Sequence, residues 1–194
     1  MSTPSVVLAS ASPRRLQLLL AAGLAVEALP VDTDEQALAG ESVRQMVCRL
    51  AREKAFASPV QERPLIAADT MVCLHKQALG KPVDLDDARR MLHDLADNTH
   101  HVLTGVCVRW GDLVLQDVVQ TEVHFRPIND DEINVYLAHN DVMDKAGAYA
   151  LQGGAATFVD RVDGTLDNVI GLPVTTTLQL LDDIIQQHQG KKPS

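Results

Sequence analysis

VVLASASPRRLQLLLAAG, residues 6–23, sets a strand, a polar loop and a helix in immediate succession. The apolar run Val6–Ala9 stops at Ser10 and reads as a buried strand. Ser12 is a favoured N-cap, and Pro13 fits the first helical position, where a backbone N–H would have no partner anyway. Leu16, Leu19 and Leu20 continue the apolar pattern, and Gly23 is a good terminator. A strand that feeds a capped helix at the start of a chain points to an α/β domain.

The rest of the chain extends that reading. Glu41–Ala57 is helical, with Val43, Met46, Val47 and Leu50 on one face and Arg44, Arg49, Arg52 and Glu53 on the other. Leu65–Leu74 is a second apolar strand, interrupted at Asp69-Thr70, and Gly80-Lys81-Pro82 is a turn. Asp84 caps a helix that runs to about Leu95, with Asp87 in its first turn, where the helix dipole favours negative charge. Val102–Trp110 and Leu113–Phe125 read as strands joined across Gly111-Asp112. Asp130 or Asp131 opens a helix that ends near Asn140. Ala146–Phe158, rich in Gly and Ala, reads as loop and short strand. Phe158–Val162 is a strand before an Asp163-Gly164 turn, Thr175–His188 is a helix, and 189–194 is a polar, frayed tail. With no internal repeat or linker, the 194 residues read as a single α/β domain with a mixed sheet.

Composition narrows the function. The net charge is -9 and aromatics are 3%, so the chain lacks both the basic face and the stacking side chains of a nucleic-acid binder. A polyanionic partner then requires a few converging cations, or a metal that bridges like charges. The N-terminus has no signal-peptide pattern and no window approaches a membrane span. Cys48, Cys73 and Cys107 form neither a disulfide framework nor a zinc motif; they read as buried free thiols suited to the reducing cytoplasm.

Four groups of residues carry potential chemistry. Ser10-Ala11-Ser12-Pro13-Arg14-Arg15 sets two hydroxyls and two guanidinium groups at a helix N-terminus, which is a compact phosphate cradle. The same residues are equally consistent with an ordinary capped helix that carries two surface arginines. Asp69 stands in an apolar run, where a carboxylate must be paired, metal-bound or at a strand end, and this makes it a candidate metal ligand or general base. The competing reading is an Asp that caps a turn. Asp32, Asp34 and Glu35 form an acidic loop whose oxygens suit Mg²⁺, or a solvated loop without function. Lys54 and Lys81 are the remaining cations of interest, although each alone reads as surface decoration. His100 and His101 point to opposite faces of a strand and form no metal motif. No Walker loop, dinucleotide fingerprint or nucleophile elbow is present.

In order along nearly the whole chain, the sequence carries Ser10-Ala-Ser-Pro-Arg-Arg15, Asp34-Glu35, Arg49-Leu-Ala-Arg-Glu-Lys-Ala55, Ala68-Asp-Thr70, Gly80-Lys-Pro82 and His100 to Thr104. Val123-His-Phe-Arg126, Lys145-Ala-Gly-Ala-Tyr-Ala-Leu-Gln-Gly153 and Gly171-Leu-Pro173 follow. This ordered set resembles the Maf family of nucleotide pyrophosphatases. The resemblance implies an elongated, two-lobed fold with a cleft, like that of the inosine triphosphate pyrophosphatases, and often a homodimer. It also implies hydrolysis of a nucleoside triphosphate to the monophosphate and pyrophosphate with a divalent metal such as Mg²⁺ or Mn²⁺. Asp69 matches the family's proton acceptor, and Glu35 with Asp69 its metal site, although Asp34 competes with Glu35 for that role. Arg14, Glu35, Lys54 and Lys81 match positions implicated in substrate or metal binding, and Ser10, Ser12 and Arg15 of the phosphate cradle are expected to bind substrate with them. Thr70 and Gln152 match the pattern of the branch that acts on dTTP and UTP, and Arg14 is expected to contribute to specificity with them. The Gln152 amide offers one donor and one acceptor, which suits the edge of thymine or uracil; it also suits a loop residue bonded to backbone. Leu166-Asp167-Asn168 departs from the family, where many relatives carry an aromatic. The alternatives are a 7-methyl-GTP pyrophosphatase and a non-catalytic nucleotide-binding regulator of septum formation.

Overall fold

The computed structural model describes residues 5–190. Seven strands form one mixed sheet in the order β2-β1-β3-β5-β6-β7, with β4 paired to β3. In chain order the elements are β1 (Val6–Leu8), α1 (Pro13–Ala21), β2 (Val26–Ala28), α2 (Val43–Ala57), β3 (Leu65–Leu74), β4 (Gln77–Leu79), α3 (Leu85–Leu95), β5 (Thr99–Trp110) and β6 (Leu113–Phe125). Then come α4 (Asp130–His139), three 3-10 turns between Ala146 and Phe158, β7 (Val159–Asp163), α5 (Leu166–Ile170) and α6 (Val174–Gly190). β1 runs parallel to both β2 and β3, while β4 and β7 pair antiparallel to β3 and β6. This is the α/β class with a mixed sheet that the sequence implied.

The chain separates into two compact units. The first holds the residues up to Asp69, Thr104–Val119 and everything from Gly171 on; the second holds Thr70–Leu103 and Gln120–Ile170. In the first unit the central strands bury both faces. Val6, Leu8, Ile66, Ala68, Val106 and Val108 pack with Leu19 of α1 and with Leu181 and Ile184 of α6. The alternate residues Val7, Ala9, Leu65, Ala67 and Cys107 pack with Ala51 and Ala55 of α2. This two-sided burial is why β1 and β3 read as unbroken apolar runs rather than alternating ones. α2 lies so close to β5 that a Cβ on Gly105 would meet the Val47 carbonyl oxygen at 2.2 Å. The second unit has its own core, in which Leu92 and Leu95 of α3 and Ile133 and Tyr136 of α4 surround Val102, Val123 and Phe125.

Several expectations are adjusted. β3 runs straight through Asp69-Thr70 without a break. The helix expected from Glu41 begins at Val43, because Ser42 is its N-cap and closes a capping box with Gln45. Asn129, rather than Asp130 or Asp131, caps α4. Residues 146–158 form three 3-10 turns and no strand. α6 continues through Gln189 and Gly190, so that part of the expected tail is helical, and 191–194 lie outside the described residues. All three cysteines are free; Cys107 is buried and Cys48 and Cys73 are partly buried. Among the described residues no helix is long and apolar enough to cross a membrane.

Candidate functional site

Where β1 ends, the chain turns and enters α1. Ser12 caps the helix in an extended conformation, and its Oγ accepts the Arg15 N–H at 3.4 Å. Ser10 Oγ accepts from the Ser12 N–H at 3.2 Å and from Arg15 Nη1 at 3.2 Å, while Arg15 Nε donates to the Gly171 carbonyl at 2.8 Å. The serines therefore build the turn, and Arg15 fastens it to the start of the 171–190 segment. Arg15 is partly buried. Loss of hydration lowers its proton affinity, while the charges of Asp69 and Glu35 work in the opposite direction. Arg14, half-buried, is the neighbouring cation in the first turn of α1.

The second component is a lysine shared by two acids. Lys54, in the last turn of α2, donates to Asp69 Oδ1 at 2.6 Å and to Glu35 Oε1 at 2.6 Å. The side chain of Asp69 is 8% exposed and that of Lys54 11%, whereas Glu35 at 41% faces solvent. Burying the Asp69 charge alone would be very costly, and the Lys54 ammonium offsets that cost. Asp34 points elsewhere, since its Oδ1 accepts the Gln36 N–H at 3.0 Å and closes its own loop turn. Of the two competing acids, Glu35 is the one that joins Asp69.

Arg49 holds the Glu35 loop against α2. Its guanidinium donates to both Glu41 oxygens at 2.7 Å, to Glu53 Oε2 at 3.0 Å and to the Gln36 carbonyl at 3.0 Å. These bonds raise its proton affinity further, with the Glu41 bond the largest cause. From sequence Arg49 reads only as helix decoration. The signal that points to its partner is Glu41, eight residues before it, a spacing too long for a within-helix pair.

Ser10, Ser12, Arg14, Arg15, Glu35, Lys54 and Asp69 all belong to the first unit; Thr70, Lys81 and Gln152 belong to the second. Lys81 is exposed in its turn. The preceding Gly80 carbonyl accepts the Gly147 N–H at 3.0 Å, and Gly147, at φ 69°, touches Val72 so closely that a Cβ would sit 3.0 Å from it. This contact ties the Gly-Lys-Pro turn to the Ala-Gly-Ala segment. Gln152 is exposed in the second 3-10 turn and forms the polar edge of a pocket of about 310 Å³ lined by Leu151, Ala156, Val159, Val162, Leu166 and Ile170. Asn168, in the segment that departs from the family, is buried and donates to the Val102 carbonyl and to Thr121 Oγ1, both at 3.0 Å.

His100 and His101 belong to the second unit. His100 is fully buried, with Nε2 2.8 Å from the Tyr149 hydroxyl, and burial pushes its pKa down to about 3. His101 lies beside Glu122 at 3.4 Å. Among the described residues no three or more His, Cys, Asp or Glu gather as a metal site. What the first unit does offer is two carboxylates converging on one cation, close to guanidinium groups at a helix N-terminus. Hard divalent ions take carboxylate oxygens and fill the remaining positions with water and phosphate oxygens, so two acids fit such an ion.

A capped loop rich in cations beside a shared acid pair is the architecture of an α/β protein that handles phosphate. The family model for Maf-like proteins matches residues 5–184, and the chain belongs to that family. It is 50% identical over 182 residues to the dTTP/UTP pyrophosphatase of Anaeromyxobacter dehalogenans strain 2CP-1, an alignment covering 92% of this chain and 93% of the relative. The dTTP/UTP pyrophosphatase of Geobacter sulfurreducens is 46% identical, with 90% and 93% covered. That of Escherichia coli O6:K15:H31 is 41% identical, with 92% of each chain covered. Among solved structures, a HAM1 protein from Coxiella burnetii aligns at a TM-score of 0.46 and 16% identity, over 95% of this chain and 100% of that one.

Proposed function

We propose that the chain is a nucleoside triphosphate pyrophosphatase that hydrolyses dTTP and UTP to the monophosphate and pyrophosphate. The observation that carries this reading is the Lys54 ammonium held by Asp69 and Glu35 at 2.6 Å each, with Arg15 close enough for its charge to respond to both acids. The names of its relatives support the choice of substrate. In this reading Glu35 and Asp69 hold a divalent cation such as Mg²⁺ or Mn²⁺, which supplies charge neutralisation for the triphosphate when bound.

The chain's own residues do the rest. Asp69, buried in β3, accepts a proton from the water that attacks the α-phosphorus; the α–β bond breaks and pyrophosphate leaves with the bridging oxygen. Ser10, Ser12 and the N-terminus of α1 donate to phosphate oxygens, and Arg14, Arg15, Lys54 and Lys81 balance their charge. Thr70, Gln152 and Arg14 are the residues we assign to selection of the pyrimidine, the Gln152 amide offering one donor and one acceptor. Three free cysteines fit a cytoplasmic protein.

Pyrophosphate release from dTTP, UTP, CTP, dATP and 7-methyl-GTP, each with and without chelator, tests the reading. dTTP and UTP should lead, and chelator should stop turnover. Asp69→Asn should lower kcat by a factor of roughly 100 to 10,000 with the circular dichroism unchanged. Wild-type rates in that variant, or nucleotide binding without pyrophosphate release, would overturn it.

A further inference from the structure

Glu35 and Asp69 have two claimants, the lysine seen between them and the metal proposed for them. Both acids reach the same atom, Lys54 Nζ, at 2.6 Å. The Arg15 charge also acts on both acids, so the pair is already served by cations before any divalent ion arrives. Lysine and metal together would set a like-charge pair side by side in a partly buried site. The ammonium is also on a four-carbon stem that can swing, unlike a guanidinium fixed by its plane.

We propose that Lys54 is the resident cation of the acid pair, and that divalent metal and the Lys54 ammonium exclude one another there. This rests on the metal reading of Glu35 and Asp69. Metal-bound nucleotide displaces the ammonium, and Lys54 moves to the phosphate oxygens brought in with it. The site resists stray metal in the absence of nucleotide, because any ion must first break two ion pairs. The neighbouring structure permits the exchange. Glu35 is 41% exposed on the solvent side. Its loop has an anchor separate from Lys54, since Arg49 binds Glu41 and the Gln36 carbonyl.

The test is Mn²⁺ binding without nucleotide, measured by calorimetry and by the metal-dependent rise in melting temperature, for wild type, Lys54→Met, Lys54→Gln, Glu35→Gln and Asp69→Asn. Both Lys54 variants should bind Mn²⁺ about tenfold more tightly than wild type and gain a larger thermal shift, because the competing cation is gone. Glu35→Gln and Asp69→Asn should bind more weakly. Equal or weaker binding by the Lys54 variants, with the acid variants weakened, overturns the exchange and leaves the metal site standing. Acid variants that bind as wild type does overturn the metal site, and the exchange with it. Should the lysine variants fail to fold, the wild-type chain decides. With ¹⁵N-labelled lysine, saturating Mg²⁺ should abolish the hydrogen-exchange protection of the Lys54 ammonium, and an unchanged signal overturns the proposal.

Discussion

Acidification from pH 7 to pH 4.5 should cost this protein stability through one buried side chain, His100. It has no solvent exposure; its ring stands edge-on to Phe125 at 4.9 Å and to Tyr149 at 5.4 Å. Nε2 meets the Tyr149 hydroxyl, but among the described residues Nδ1 has no hydrogen-bond partner. A second proton would therefore sit in an apolar pocket with nothing to accept it. Burial depresses the pKa from 6.5 to about 3, and the nearby His101 and His124 push in the same direction. The unfolded chain takes up this proton below pH 6.5 and the folded one does not until about pH 3. The stability is thus intact above 6.5 and is lost progressively as the pH falls from there towards 3. Two pH units below 6.5, at about 1.36 kcal/mol per unit, the loss is about 2.7 kcal/mol. The control is His100→Phe. It removes the titrating group at a fixed cost of roughly 1–3 kcal/mol, because the Tyr149 hydroxyl is left without its partner. Urea unfolding of both proteins between pH 7 and 4.5 should show the wild type losing its advantage by about that 2.7 kcal/mol, since all other titrating groups cancel in the difference. A difference that stays constant across the range would refute the reasoning.

Two further variants probe how the site is supported. Gly105→Ala drives a Cβ into the Val47 carbonyl of α2 at 2.2 Å, so urea unfolding should show a loss of roughly 3 kcal/mol, and an unchanged midpoint would mean that α2 and β5 can part freely. Arg49→Ala releases the loop that carries Glu35 from α2, so KM for dTTP should rise about tenfold with near-native circular dichroism, and an unaltered KM would show that the loop holds itself in place.

The elements with strong local signals are legible from sequence. α1 and α3 announce themselves by Ser12-Pro13 and by Asp84 with Asp87, and in both the cap side chain bonds the backbone as expected. β4 escapes notice because its turn hides: His75 and Lys76 take left-handed conformations, at φ 48° and 70°, without the Gly or Asn that usually marks such a hairpin. β2 and α5 are three and five residues long, too short for any periodicity to register. The 146–158 segment, rich in Gly and Ala, reads as loop and short strand, yet it forms 3-10 turns, with Phe158 entering the core from the last of them and Tyr149 from the extended residue after the first.

For the site, the residue types are legible and their partners are not. Asp69 is marked by its setting alone, since an acid inside an apolar strand has few states open to it. Glu35 cannot be separated from Asp34 in the same way. Both are exposed acids on one loop, and the choice is made by backbone geometry: the shorter Asp34 side chain curls onto the N–H two residues on, while the longer Glu35 reaches α2. Arg15 shows the same limit from the other side. Its type suggests a phosphate ligand, but its bond to Gly171, 156 residues distant in the chain, also holds the cradle closed. A guanidinium committed through Nε to that carbonyl and through Nη1 to Ser10 cannot travel with a phosphate without breaking the turn it fastens. On the proposed reading, the donors of the cradle keep their spacing before nucleotide arrives, and the adjustment to the substrate falls to Lys54 and the exposed Glu35 loop rather than to the start of α1.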